Sequence, residues 1–463
     1  MFLIQWGMLK SPSAEQTALE IVTLEGLVPK EHLLRRIDAV VDFSFIHELA
    51  APYYCADNGR PALDPTLMFK ALFVGYLFGI RSERRLIEEI KVNVAYRWFL
   101  RLKLTDDVFD ASTLSQNRRR RFNGTDIAQT IFDRIVEQAM SHGLIEGRVI
   151  YTDSTHLKAS ANKNKYDLAE LSKSRSDYWD DLDEAINDDR EVHGKKPMKE
   201  KAREAQVKET KVSRVDPDAG YMVRDGKPKG FFYLDHRSVD GLHSIITDSY
   251  TTPANVHDSI PYLTRLDRQR QRFGFDVTSV GLDAGYATAA IAHGLEERGI
   301  LGVTGYRTPN PPPAGLMRKS KFIYDHNVDA YRCPNDQLIT YATTDRSGYR
   351  HYKSDPAVCR TCPLLATCTN NKNAQRTITR HVWQDARERT DAHRLTPWGK
   401  AIYKRRKETV ERSFADAKEL HGHRYARFRS LNKVKFQCLM AAAAQNIKKI
   451  ANLVTRQRQL AIA

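Results

Sequence analysis

Two aspartates far apart in the sequence share one local context. Asp153 follows the β-formers Val149, Ile150 and Tyr151 in "VIYTDST", and Asp283 ends the apolar run of "DVTSVGLDAGY". A lone Asp at such a place ordinarily caps a turn. Two of them, separated by further strand and helix patterns, place a pair of carboxylates at neighbouring strand ends of an α/β sheet. Like charges at close range repel unless a cation lies between them, and hard oxygen ligands of this kind suit Mg²⁺ or Mn²⁺. Gly285, just after Asp283, permits close backbone approach. A third carboxylate is available in "AIYKRRKETVERSFADAKELHGHRYARFRSL", where Val410, Phe414 and Ala417 form an apolar helical stripe and Glu411 borders it. Glu408 and Glu419 are its rivals, and for all three the ordinary alternative is a solvated helix with i,i+4 ion pairs.

The elements that must hold these groups divide the chain. Residues 1–30 form an N-terminal segment, and 31–145 read as an all-helical region. In "DPTLMFKALFVGYLFG", Asp64 is the N-cap, Pro65 the first helical residue and Gly79 the stop. Ser82 starts a second helix, and "VAYRWFLRL" carries a dense aromatic face. "DASTLSQNRRRRF", capped by Asp110 or Ser112, presents Ser115, Gln116 and Asn117 and then Arg118, Arg119, Arg120 and Arg121. A helix fits the major groove, Asn, Gln and Arg pair with base edges, and arginines contact phosphate. Four consecutive arginines wrap round a helix, so phosphate contact is the firmer expectation and a solvated basic face the alternative. Residues 146–305 alternate strands and helices around a charged insertion, 160–215, that has helical patches in "DYWDDLDEAIND" and "KEKAREAQVKET". A Pro- and Cys-rich insertion, 306–395, and the helical, basic 396–463 complete the chain.

The 463 residues are 41% hydrophobic, enough for a real core. Lys and Arg outnumber Asp and Glu by 73 to 57, which gives a net charge of +16 and a surface that attracts polyanions, nucleic acid first among them. No secretory leader opens the sequence, and "ALFVGYLFGI" is too short to span a bilayer, so a cytoplasmic or nucleoid location without membrane partners is expected. Cys55 and Cys438 read as isolated buried residues. Cys333, Cys359, Cys362 and Cys368 have the C-x2-C character of a structural zinc site, with reduced, unliganded thiols as the alternative and disulfides disfavoured in that compartment.

Taken together, "DPTLMFKALFVGYLFGIRSERRLIEEI", "YTDSTHLKASAN", "TTPANVHDS", "GLDAGY" and "RKETVERSFADAKELHGHRYARFRSL" resemble bacterial insertion-sequence transposases of the DDE type. The resemblance runs from about Pro61 to Ile450. It implies a ribonuclease H-like mixed sheet flanked by helices and preceded by the helical domain, with Asp153, Asp283 and Glu411 as the catalytic, metal-binding triad. Tyr403, Lys407 and Lys418 resemble the Tyr, basic residue and Lys that flank the family's glutamate. The Tyr-to-basic spacing is one residue longer than the commonest pattern unless Arg406 takes that role, and then the spacing to Glu411 lengthens instead. The implied activity is cleavage and strand transfer at element ends with two Mg²⁺ or Mn²⁺ ions, on double-stranded DNA and by a homo-oligomer. Lys418, Arg424, Arg427 and Arg429 would hold phosphates, and Tyr425 and Phe428 would stack on an unpaired base or pack beneath the basic surface. A transposase-derived DNA-binding protein that no longer cleaves, or a regulator using only the helical N-terminal part, is the other function class, and a nuclease without strand transfer shares the same site.

Overall fold

In the helical first part, the local stop and start signals act as physical chemistry requires. Asp64 accepts from the amides of Thr66 (2.9 Å) and Leu67 (3.4 Å), Pro65 opens the helix Pro65–Leu77, and Gly79 leaves it at φ +68°. The computed structural model describes residues 15–17, 19–55, 62–172, 179–199, 207–223, 226 and 228–462. Nearly all of Pro65–Leu77 is buried, which makes it the centre of a bundle with Leu33–Asp38, Glu83–Val92, Val94–Phe99, Ala111–Asn117 and Ile127–Ser141. The long helix Leu431–Ile462 packs on this bundle with one side and on the sheet with another. Ala441, Ala442, Ala443 and Ala444 are fully buried in it, because only small side chains allow approach from all directions. Bundle and sheet therefore share one core. Among the described residues, no helix is long and apolar enough to cross a membrane.

Thirteen strands follow the bundle among the described residues. The main sheet contains β1 (Val149–Lys158), β4 (Gly220–Met222), β5 (Gly230–Asp240), β6 (Ile246–Pro253), β7 (Ser279–Leu282) and β8 (Leu301–Thr304). β1, β5 and β6 are antiparallel neighbours, with β4 prolonging β6 along the outer edge of β5; β7 and β8 continue parallel to β1 on the other side. Asp153 is not at a strand end. β1 runs on to Lys158 because β5 pairs along it, and only the parallel pairing with β7 stops, at Thr152–Leu282.

A second correction concerns the charged insertion. Trp179–Val192 is helical, but Val207–Ser213, which begins inside the stretch read as a helical patch and runs past its end at Thr210, is strand β3 of a ribbon with β2 (Tyr166–Ser172). Cross-strand pairing, with Lys211 over the rings of Tyr166 and Tyr221, overrides the local helical preference. Residues 200–206 of that patch lie outside the described residues. The Cys-bearing insertion forms a separate sheet in the order β13 (Thr377–His381), β12 (Tyr349–Lys353), β11 (Leu338–Thr344), β10 (Ala330–Arg332), β9 (Ile323–Asp325). Phe322, Tyr331, Ile339, Tyr352 and Ile378 form its small core.

A buried polar network ties the C-terminal helices to the sheet. Opposite Asp153 on β5 is Arg237, whose Nε donates to Asp235 (2.8 Å) and whose Nη1 donates to the Ser413 hydroxyl (3.0 Å) on the helix Arg412–Leu420. Ser249 and His423 also bond Asp235, at 3.1 and 3.0 Å. Burial alone would raise the Asp235 carboxyl, but Arg237 and His423 hold it well below the usual carboxylate range. Its contribution to stability is thus present above the ordinary aspartate pKa and is lost only in strong acid. Arg237→Met leaves Asp235 buried beside a neutral partner and should cost about 3–5 kcal/mol in urea denaturation, and Asp235→Leu added to it should recover a large part.

Candidate functional site

The end of the β1–β7 pairing creates the site. Thr152 and Leu282 are the last paired residues, so the next positions on the two adjacent strands are Asp153 and Asp283. β1 stays in the sheet here, held by β5, whereas β7 turns away at once. Asp283 caps that turn, its Oδ1 accepting from the Ala284 amide at 2.6 Å. One aspartate is therefore on a rigid strand and the other on the shoulder of a turn, half exposed. Gly305, just past β8, is bare for a reason: a Cβ there would stand 2.7 Å from the Tyr403 hydroxyl and 2.8 Å from the Ala284 amide. Tyr403 is thus seated beside the Asp283 turn.

The third element comes from the C-terminal region, and the basic residue it delivers is Arg406. Its guanidinium is buried and lies 3.0 Å from Asp153 Oδ2, 3.9 Å from Asp283 Oδ1 and 3.6 Å from Glu411 Oε1. Three carboxylates from three remote parts of the chain thus face one cation. In a regular α-helix, residues five apart point about 140° away from each other, which would separate Arg406 from Glu411. The helix avoids this by widening. Lys407–Glu411 is a π-helical turn, with the Glu411 amide bonded to the Arg406 carbonyl at 3.1 Å, and the extra residue is absorbed there. Burial raises the Asp153 carboxyl to about 6, against the pull of Arg406, and the charge of Asp283 raises it further. One guanidinium against three carboxylates leaves a deficit of two positive charges, so the donor set fits a divalent cation with oxygen ligands.

The remaining sequence candidates are placed unevenly. Lys407 is exposed on the π-helical turn, and Arg406 holds the position facing the carboxylates. Glu408 is exposed, and Glu419 is exposed and pairs with Arg424, so neither joins the two aspartates. Lys418 is half-buried one helix further on. Arg118 is not a surface residue: it is buried, paired with Glu83, and stacked 4.0 Å over the Phe428 ring. Asn117 is buried and bonded to Thr113 and Arg121, which removes it from base reading, while Arg121 lies over Tyr54. The run turns into a second π-helical stretch at Arg118–Phe122, and only Arg119 and Arg120 of the four are fully exposed. Arg427 packs over Tyr76, Arg81 lies over the Tyr425 ring, and Arg429 donates to the Ser160 carbonyl. Phe428 and Tyr425 are thus engaged in the interface with the helical bundle.

Sequence reading missed a basic groove of about 1180 Å³ between the Asp283 side of the main sheet and the inserted sheet, lined in part by Thr288, Arg307, Arg318, Lys319 and Arg387. These cations are scattered between Arg307 and Arg387 and form no run. Cys333, Cys359, Cys362 and Cys368 line a common pocket. Cys359 donates to the Ser354 hydroxyl at 3.3 Å, and burial raises the Cys368 thiol, with Cys359, Cys333 and Cys362 adding to the effect.

Two family models match. Residues 22–120 match "Transposase domain (DUF772)" and residues 332–451 match "Transposase DDE domain". Glu411 and Arg406 fall inside the second segment, whereas Asp153 and Asp283 fall outside both and rest on the geometry above. A search of curated proteins found no match. Among solved structures, a cryo-EM structure of a piggyBac transposase synaptic complex with hairpin DNA aligns with 92% of this chain and 75% of its own, at 9% identity and a TM-score of 0.35, a likeness too low to argue from.

The central guanidinium yields a prediction. Arg406→Ala leaves three carboxylates facing one another and should lower stability by about 1–3 kcal/mol in metal-free buffer. Mn²⁺ should restore most of that loss in thermal melts, and should stabilise a control substitution at exposed Arg120 no more than the wild type.

Proposed function

We propose that this chain, two segments of which match transposase models, cuts and joins DNA at the ends of its element, with Asp153, Asp283 and Glu411 as the catalytic carboxylates of a ribonuclease H-like core. The observation that carries this reading is the convergence of these three groups on one guanidinium with two charges uncompensated. Asp153, Asp283 and Glu411 would hold Mg²⁺ or Mn²⁺, which would activate a water and stabilise the leaving 3′ oxygen. The chain's own part is positioning. β1, clamped between β5 and β7, fixes Asp153, and the Asp283 turn and the π-helical turn bring their carboxylates to it from the open side. The buried Arg406 faces Glu411 from 3.6 Å and draws its exposed carboxylate toward the two aspartates.

Phosphate contacts would come from exposed Arg119, Arg120, Lys407, Arg424 and Arg429, with Lys418 near the site, and from the groove of Arg307, Arg318 and Arg387 that leads to the Asp283 turn. The first cut frees a 3′ hydroxyl, and strand transfer uses it as nucleophile on target DNA at the same carboxylates. Two ends must be held together for this, which implies more than one copy of the chain on DNA and a place of action at the nucleoid.

Purified protein with Mg²⁺ or Mn²⁺ should cleave DNA carrying its own element ends and leave 3′ hydroxyls. Asp153→Asn should abolish cleavage and retain DNA binding, since it removes a metal-site charge and leaves the basic surfaces intact. Binding by both proteins should weaken steeply with salt. Tight end binding by the wild type with no metal-dependent cleavage would assign the chain to the DNA-binding class instead.

A further inference from the structure

The loop that joins β6 to the helix Tyr262–Phe273 brings a fourth carboxylate behind the other three. Asp258 accepts from the Ser154 hydroxyl at 2.8 Å, so it is anchored to the residue next to Asp153. Its other oxygen points toward the second aspartate's turn, where a Cβ on Gly285 would stand 4.0 Å from Oδ2. One side chain is therefore bonded to the β1 segment and lies beside the Asp283 turn, where the strand pairing ends. It is mostly buried, 14% exposed, so its charge acts through little solvent. That charge adds to the repulsion on Asp153 and is the strongest one felt by the buried Tyr286 of the same turn.

A second observation comes from the strand on the far side. His236 on β5, opposite Ser154, is fully buried, and its Nε2 is bonded to the Thr252 hydroxyl at 2.8 Å. Its Nδ1 has no hydrogen-bond partner and faces Asp258 Oδ1 from 4.0 Å. Burial keeps this imidazole neutral, the guanidinium of Arg265 adding to the effect. It therefore keeps a polar atom turned to the carboxylate without cancelling its charge.

We propose that Asp258 is a positioning residue of the catalytic centre, a fourth carboxylate that joins the β1 segment at Ser154 to the Asp283 turn and tightens the hold of Asp153 and Asp283 on a divalent cation. The proposal rests on the three-carboxylate reading above. Its role is electrostatic and geometric: Ser154 fixes the carboxylate, the carboxylate spans the two segments, and its charge raises the cation demand of the pair.

Mn²⁺ binding to the full-length protein, without DNA, tests it by calorimetry and by the electron paramagnetic resonance spectrum of the bound ion. Asp258→Asn should weaken Mn²⁺ binding about 10- to 100-fold, the scale on which groups behind a metal's ligands act, with circular dichroism unchanged. Asp258→Glu should recover most of the affinity, and Ser154→Ala, which keeps the charge and removes the anchor, should weaken binding by less and broaden the spectrum. Wild-type affinity in Asp258→Asn overturns the proposal. If Asp258→Asn does not fold, Ser154→Ala decides, and an unchanged affinity and spectrum there overturn it. Equal Mn²⁺ binding by wild type and Asp153→Asn would show that the three-carboxylate reading itself has failed.

Discussion

The guanidinium of Arg406, buried against Asp153 and within 4 Å of Asp283 and Glu411, is the contact on which the rest of the site depends. Three carboxylates cannot be gathered on one side of a sheet without a compensating charge, because each partly desolvated anion raises the energy of the others. Arg406 supplies part of that charge from within the chain. It does not supply all of it, and burial, helped by the charge of Asp283, still raises the Asp153 carboxyl against its pull. The centre is assembled in the folded protein with more negative than positive charge.

Holding such a centre together requires rigidity from groups that touch none of the three carboxylates. The π-helical turn at Lys407–Glu411 sets the angle between Arg406 and Glu411, and the Arg237–Asp235 pair, bonded to Ser413, fixes the same helix to β5. The helix Leu431–Ile462 then closes the core that the sheet shares with the N-terminal bundle. A π-helical turn is retained at the site while the buried network and the alanine-lined helix carry the stability. Arg118, stacked on Phe428, connects the bundle to the loop that follows the Glu411 helix, so the basic bundle helix and the carboxylate centre belong to one structural unit.

Much of this was legible in the sequence where the signal is local. The caps at Asp64 and Ser82, the apolar stripe of Val410, Phe414 and Ala417, and two strands that each lead into an aspartate are all short-range patterns. The sheet made the two aspartates neighbours, as alternating strands and helices imply. What was not legible depended on pairing partners or on departures from regular geometry. The extension of β1 past Asp153 requires β5, eighty residues away, and the strand at Val207–Ser213 requires β2. Arg406 stood only as the alternative to Lys407, because a five-residue spacing faces apart on a regular helix and no residue type announces a π-helical turn. Arg118 looked like a phosphate contact in a run of four arginines, since the partly buried Glu83 that claims it is remote. Asp258, in an ordinary turn sequence, acquires meaning only beside Ser154 and Gly285.

The most direct test of the central claim is a crystal structure of the protein with Mn²⁺, read from the anomalous difference map. The account predicts a peak enclosed by the carboxylates of Asp153, Asp283 and Glu411, with Arg406 drawn back from Asp153 to make room for it. A map with Mn²⁺ bound elsewhere, or with Glu411 directed into solvent and Glu408 or Glu419 in its place, would contradict it.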